Sequence, residues 1–352
     1  MYRIFKINIF TALVFVLLII LLTINPIPCR EGAETGLLLC GRVIIPSLFP
    51  FTFCILFIMK TGLLDKMGFL QKFTRKIFHF EPEMFSLMLI SFIGGYPVGA
   101  KVLSSAVKEK KISSENAGIM LNYCINAGPA FIISAVGNGI LGSKNLGIIL
   151  LSSHLSASLI LCFLSRFPEP KAPQKQKSQK KFSFADDFVL SVKEASDTTL
   201  SICSFVVLFS ALNNYIQVYS EKIIFLKRLT YFTEVTNAVT LTKNIYIISF
   251  LLGFGGISIW CQIAAMSKNI KIKPLRFILF RLLHGFISSA LTFTLLKLFK
   301  ITVPTLSNGR SFNPNFIYST PSVAISLFMM CVILIISIST KKFAGKITDD
   351  MI

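Results

Sequence analysis

Long apolar runs, repeated along one chain, leave little choice of architecture. Runs near the roughly 20 residues needed to cross a hydrocarbon core recur at 7–24, 36–59, 84–107, 116–140, 146–165, 198–218, 244–266, 275–296 and 321–340. Within lipid every backbone N–H and C=O must find a partner in the protein, so such segments become helices. The expected fold is an all-α polytopic membrane protein of about seven to nine hydrophobic segments. Composition agrees: of 352 residues 53% are hydrophobic and 15% charged, with a mean hydropathy of +0.71. A soluble chain of this length carries about a quarter charged residues.

The net charge of +20 would point to nucleic acid in a soluble protein. Here the Lys and Arg residues gather between apolar runs, where the positive-inside rule expects them, and no RNA-binding motif accompanies them. No nucleic-acid partner is expected; membrane lipid is. The eight cysteines stand singly, none in C-x-x-C spacing, and the three histidines are scattered. That pattern fits buried thiols acting as small hydrophobes better than a zinc set, so neither a metal nor a cofactor is expected. The chain also lacks G-x-S-x-G, a Walker loop, H-E-x-x-H and a paired intramembrane Asp motif. Neither an enzyme nor a primary ATP-driven pump is indicated.

The charge pattern divides the chain into five regions. Residues 1–30 read as an uncleaved N-terminal transmembrane helix, cytoplasmic end first. Residues 36–166 form a first repeat, in which Pro46 and Pro50 should bend or break the helix and Lys60, Lys66, Lys72, Arg75 and Lys76 mark a cytoplasmic loop. A Pro/Gln/Lys linker, 167–182, is too polar to fold alone. Residues 183–300 hold a short interfacial helix, from the spacing of Phe184, Phe188, Val192 and Ala195, then a span at 198–218 and a second repeat. Residues 301–352 supply an external loop, a last transmembrane helix and a basic tail.

The segment 84–107 begins and ends beside cytoplasmic lysines and carries "SFIGGYPVGAKVL" (91–103) at its centre. A segment that returns to its starting side reads as a re-entrant helical hairpin. "SFLLGFGGISIWC" (249–261) shares its Ser-Phe start and its Gly-aromatic pair, giving two related halves. Such weak internal repeats are common in transporters, whose broken helices meet near the bilayer midplane. An inverted repeat would put Lys268, Lys271, Lys273 and Arg276 outside, whereas the positive-inside rule puts them inside; the sequence leaves both open.

The breaks carry the candidate chemistry. Gly94, Gly95 and Gly99 admit backbone angles closed to other residues, and Pro97 disfavours helix at Tyr96. The freed N–H and C=O groups are then available to a solute, or the glycines form a packing notch for a neighbouring helix. In "NYCINAGPAF" (122–131), Asn122 and Asn126 share a helical face, and Gly128 with Pro129 interrupts it. Buried Asn offers donor and acceptor groups to a polar ligand, or hydrogen bonds to another helix. Lys101 stands inside an apolar segment, a functional signal by default, with snorkelling to the interface as its alternative. Arg281 and His284 sit one turn or so into the 275–296 run. No Asp or Glu reads as lying in mid-membrane, and cations without matching carboxylates favour an anionic ligand.

"GGYPVGAK" followed about two dozen residues later by "NYCINAGPAF" resembles the nucleoside-recognition, or gate-domain, membrane proteins. It is more closely similar to their sporulation branch, the family of sporulation integral membrane proteins of the YlbJ (stage V sporulation protein V) type. The likeness runs from about residue 36 to residue 285, with "GFGGISIWCQ" (253–262) echoing a second gate segment. The gate-domain family is similar in turn to concentrative nucleoside transporters, whose hairpins hold the substrate. The resemblance implies site residues at Gly95, Tyr96, Pro97, Gly99, Lys101, Asn122, Asn126, Gly128 and Pro129, with Gly253, Gly255, Gly256 and Gln262 in the second half. It also implies an envelope transporter of spore-forming Firmicutes that moves dipicolinate, a small anionic solute, from the mother cell across the outer forespore membrane.

The functional expectation is therefore a secondary transporter of a small organic anion in a bacterial inner membrane. The alternatives are a nucleoside or other small-solute transporter of the same family, and a non-transporting scaffold or receptor for spore-envelope assembly. A homo-oligomer is compatible with either; the coupling ion is unspecified.

Overall fold

A computed structural model describes residues 23–61, 83–165, 183–220 and 230–301, with scattered positions between 12 and 20. Most of the expected first membrane helix, the loop with Lys66, Lys72, Arg75 and Lys76, the linker 167–182 and the last apolar run lie outside the described residues.

Two long helical runs flank the core. Helix α1 (Pro26–Leu39) starts with prolines, whose missing N–H groups are not needed in a first turn. It continues through a π-helical stretch, Cys40–Ile44, into α2 (Ile45–Lys60). The expected break at Pro46 and Pro50 is instead absorbed: Pro46 falls in the first turn of α2, just after the widened π turn, and only Pro50 interrupts the helix interior. This run lies antiparallel to α7 (Phe184–Ser220), 37 residues long. Asn214 Nδ2 donates to Pro28 O at 2.7 Å near one end, and Lys60 Nζ meets Glu194 Oε2 at 2.6 Å towards the other. Small residues allow the approach: a Cβ on Gly32 would lie 2.5 Å from Ser210 O, and one on Gly36 2.8 Å from Val207 Cα.

The expected division of 184–218 into an interfacial helix and a separate span is corrected by this continuous helix. Asp186 and Asp187 favour its N-terminal turn, where Ser183 N donates to Asp187 Oδ2 at 3.0 Å. Ser191, Ser196 and Thr198 turn their hydroxyls back to the carbonyl four residues earlier, so the polar stretch does not compete with the helix. Phe184 and Phe188 pack edge-on against Phe57 of α2. The stripe read as membrane-facing is partly an interhelical contact.

The core is built from two groups of helices, one around each of the two related motifs. The first comprises α3 (Met84–Gly94), α4 (Tyr96–Lys108), α5 (Ser114–Cys124), a π-helical segment Phe131–Ile140 and α6 (Lys144–Leu164). The second comprises α8 (Val235–Thr240), α9 (Ile245–Phe254), α10 (Gly256–Met266) and α11 (Pro274–Leu298). Their apolar faces share one buried cluster. Among the described residues four stretches are, by length and composition, long and apolar enough to cross a membrane: Lys144–Leu164, Phe184–Tyr219, Ile245–Met266 and Pro274–Leu298.

Helices α3 and α4 pack side by side across Gly95, where a Cβ on Gly99 would lie 3.1 Å from the Ser91 Cβ. In the second repeat α10 diverges from α9 to pack on α4 and α7, while α9 runs antiparallel to α11. The expected single crossing at 116–140 is divided. Helix α5 ends at Cys124, Ile125 is extended, and residues 125–128 are non-helical. Asn126 therefore does not continue the face of Asn122, because Pro129 disfavours helix just before it.

The basic loops after α4 and α10 abut. Ser114 Oγ donates to Asn269 O at 3.0 Å, Lys271 N donates to Ser114 Oγ at 2.9 Å, and Lys271 Nζ lies 3.4 Å from Glu115 Oε1. Both loops belong to one end of the molecule, the arrangement that the positive-inside rule favours and an inverted repeat does not.

Candidate functional site

Both repeats break at a glycine with positive φ. Gly95 has φ +83° and ψ −177°, a conformation essentially confined to glycine. Gly255 has φ +82° and ψ −23°, followed by Gly256 at φ +79°. The motif alignment pairs Gly95 with Gly253, yet the second break falls two residues later. Gly253 serves packing instead: a Cβ there would lie 2.6 Å from the Cα of Gly285.

The breaks converge. A Cβ on Gly95 would meet the backbone of Gly128 at 3.2 Å and Asn126 O at 3.8 Å, so the first break lies on the 125–128 break. The hydroxyl of Tyr96 donates to Leu252 O, and its ring edge lies beside Gly255, joining the first break to the second. Trp260 Nε1 donates to Phe254 O at 2.9 Å across the second.

Arg281 binds α11 to this crossing. It is 1% exposed, among the largest fully buried side chains described. Its guanidinium donates to Ile125 O and, at 2.6 Å, to Asn122 O, with the Phe277 ring 5.8 Å away. Asn122 O lies in the last turn of α5, where helix carbonyls lack intrahelical donors and attract cations. Arg281 Nε has no hydrogen-bond partner, and among the described residues no carboxylate pairs with the guanidinium.

Beside it the imidazoles of His154 on α6 and His284 on α11 stack with centroids 4.4 Å apart, both fully buried. Ala127 N donates to His154 Nε2 at 3.0 Å. That nitrogen is therefore a lone-pair acceptor, and His154 carries its proton on Nδ1. His284 Nε2 lies 3.0 Å from His154 O, an acceptor only, so His284 carries its proton on Nε2. Ser158 Oγ donates to Asn126 Oδ1 at 2.6 Å and lies 3.5 Å from His284 Nε2. Asn126 Nδ2 donates to Tyr123 O at 3.3 Å.

Most of the residues singled out from sequence thus meet: Gly95, Tyr96, Asn122, Asn126, Gly128, Gly253, Gly255, Arg281 and His284. Pro97 stands in the first turn of α4 and Pro129 follows the 125–128 break. Gly94 packs on Val98, and Gly256 on the carbonyl of Phe232. Gln262 is buried on α10, donating to Ser258 Oγ at 3.2 Å. Lys101 stands apart, half-buried on the more exposed stripe of α4 with Ser105 and Lys108. The buried cation of the crossing is Arg281.

Two functional candidates escaped the sequence reading. His154 lies in an unbroken apolar run with no motif around it. Glu234, 1% exposed, precedes α8, accepts at its carbonyl from Ala238 N at 3.0 Å and lies beside Gly256. It falls in what reads as a polar loop, and the fold makes it an interior carboxylate.

The sporulation integral membrane protein YlbJ of Bacillus subtilis (strain 168) is 26% identical over a 321-residue alignment, which covers 78% of this chain and 79% of the relative. No family model and no solved structure matches. Likeness over most of both chains, joined to a helical architecture with several membrane-length apolar segments, marks an integral membrane protein similar to YlbJ.

Proposed function

We propose that the protein is a secondary transporter of a small organic anion, with dipicolinate, a planar pyridine dicarboxylate, as its cargo. The observation that carries this reading is Arg281, a fully buried guanidinium at the crossing of three backbone breaks whose described polar partners are carbonyls. Burying an ion costs several kcal/mol, and hydrogen bonds to charged groups return about 1.5–3 kcal/mol each. Two carbonyls and one ring face offset that cost but bring no negative charge, so an anion is the partner that the guanidinium still lacks. The unpartnered Nε of Arg281 is the donor it would find.

The breaks supply the rest of the mechanism. Helices α4 and α10 both start at the crossing, and helix N-termini present N–H groups and positive partial charge to anions. In this reading α3 and α4 form a re-entrant hairpin, and the glycine contacts at Gly95–Gly128 and Gly253–Gly285 let it and α9 rock around a fixed site. The likeness to a sporulation integral membrane protein supports a role in sporulation. The membrane is then the bacterial cell membrane and, during spore formation, the outer forespore membrane.

Purified protein reconstituted in liposomes should take up labelled dipicolinate saturably and leave labelled uridine outside. Uridine uptake instead would keep the permease and replace the cargo with a nucleoside. Absence of both, in vesicles that contain folded protein, would favour a scaffold in spore-envelope assembly.

A further inference from the structure

The stacked histidines have no role in holding the anion as described above, yet their placement is specific. His154 is anchored at Nε2 by Ala127 N and His284 at Nε2 by the carbonyl of His154. Both Nδ1 atoms are fully buried without partners. By the tautomers those hydrogen bonds require, His154 Nδ1 is an unused donor and His284 Nδ1 an unused lone pair. An unsatisfied buried polar atom costs free energy, and two on adjoining rings mark a place where a proton can be added.

The face of α11 that holds Arg281 and His284 continues as Ser288 and Thr292, all buried. Ser249 of α9 joins them, 2.9 Å from Ser288 Oγ and 2.8 Å from Thr292 Oγ1. A polar stripe therefore runs along α11 through an otherwise apolar interior, with the imidazoles between the guanidinium and the hydroxyls.

Resting on the transporter reading, we propose that the His154–His284 pair is the coupling-proton site: His284 Nδ1 accepts one proton from one side of the membrane, carries it with the bound anion and releases it on the other. Charge supplies the linkage. Arg281 stands three residues before His284 on the same buried face of α11. The other titratable side chains buried on the packed elements are Tyr123 and Cys124 of α5 and Cys162 of α6. The π-helical segment contributes none, α9 carries only Tyr246 near its start, and Glu234 lies at the second break beside Gly256. With the site empty, Arg281 repels a proton on the pair. A dianion beside Arg281 leaves one negative charge over, and one proton neutralises it. Proton and anion then favour each other, and the loaded site carries no net charge while the helices rock around it.

The test uses the full chain in proteoliposomes containing a trapped pH dye. Dipicolinate counterflow is compared with uptake driven by an imposed pH gradient. Wild-type protein should show both, and dipicolinate added to vesicles without a gradient should move the dye signal with the anion. His284→Gln, which removes the accepting lone pair, should lower the ratio of gradient-driven uptake to counterflow by about tenfold or more, the usual scale of an energetic coupling between sites. Should that variant fail to fold, the dye signal of the wild-type protein decides alone. Counterflow indifferent to the pH gradient, or driven by a sodium gradient instead, overturns the proton assignment and leaves the permease standing. Absence of counterflow from folded wild-type protein overturns both.

Discussion

At the scale of single residues, glycines do unlike work, and substitution separates them. Gly95 holds a backbone conformation that side-chain-bearing residues rarely adopt and touches the Gly128 backbone. Gly95→Ala should destabilise the protein by about 1–3 kcal/mol, read as a lowered melting temperature in detergent. Gly41→Ala meets no atom within 4 Å and should stay within about 0.5 kcal/mol of the parent. Arg281→Met leaves the carbonyls of Asn122 and Ile125 without their donor, at a cost of about 1–3 kcal/mol each, and should abolish anion flux in protein that is still monodisperse. Arg281→Lys keeps the charge but lacks the planar fork that reaches two carbonyls and should not restore flux. Glycines, prolines and Asn pairs were legible in the sequence because backbone breaking is local chemistry. His154 and Glu234 were not, because only tertiary contacts distinguish a buried side chain in an apolar run or a loop. Lys101 and Arg281 read alike in sequence, each one cation in an apolar segment. Burial separates them.

At the scale of elements, the antiparallel pairing of α7 with the run through α1 and α2 rests on close approach. Gly32→Leu would drive a side chain into the Ser210 carbonyl and the Asn214 side chain. Overpacking of this kind costs about 1–3 kcal/mol, and the expected result is a lower melting temperature with flux impaired less than by Arg281→Met. Helicity of these segments was readable from apolar length. Continuity was not. Prolines announced a break that a π turn absorbs, and the polar residues at 193–198 announced a boundary that back-bonded hydroxyls remove. The repeat motif located the second break within two residues. It misplaced it because Gly253 and Gly255 are both required, one for packing and one for turning.

At the scale of the whole molecule, the net charge of +20 acts through its distribution. The loops after α4 and α10 touch, so they face the same compartment. Single cysteines at Lys110 and Lys268, in a background whose labelling is known, should react with an impermeant thiol reagent from the cytoplasmic side only. Reaction from opposite sides would break the present arrangement of the two repeats. The central claim is that the crossing of the breaks is an anion site built on Arg281. Its most direct test is dipicolinate counterflow in proteoliposomes, wild type against Arg281→Met at matched protein content. The account predicts rapid, saturable exchange in the wild type and none above protein-free vesicles in the variant. Equal exchange in the two would contradict it.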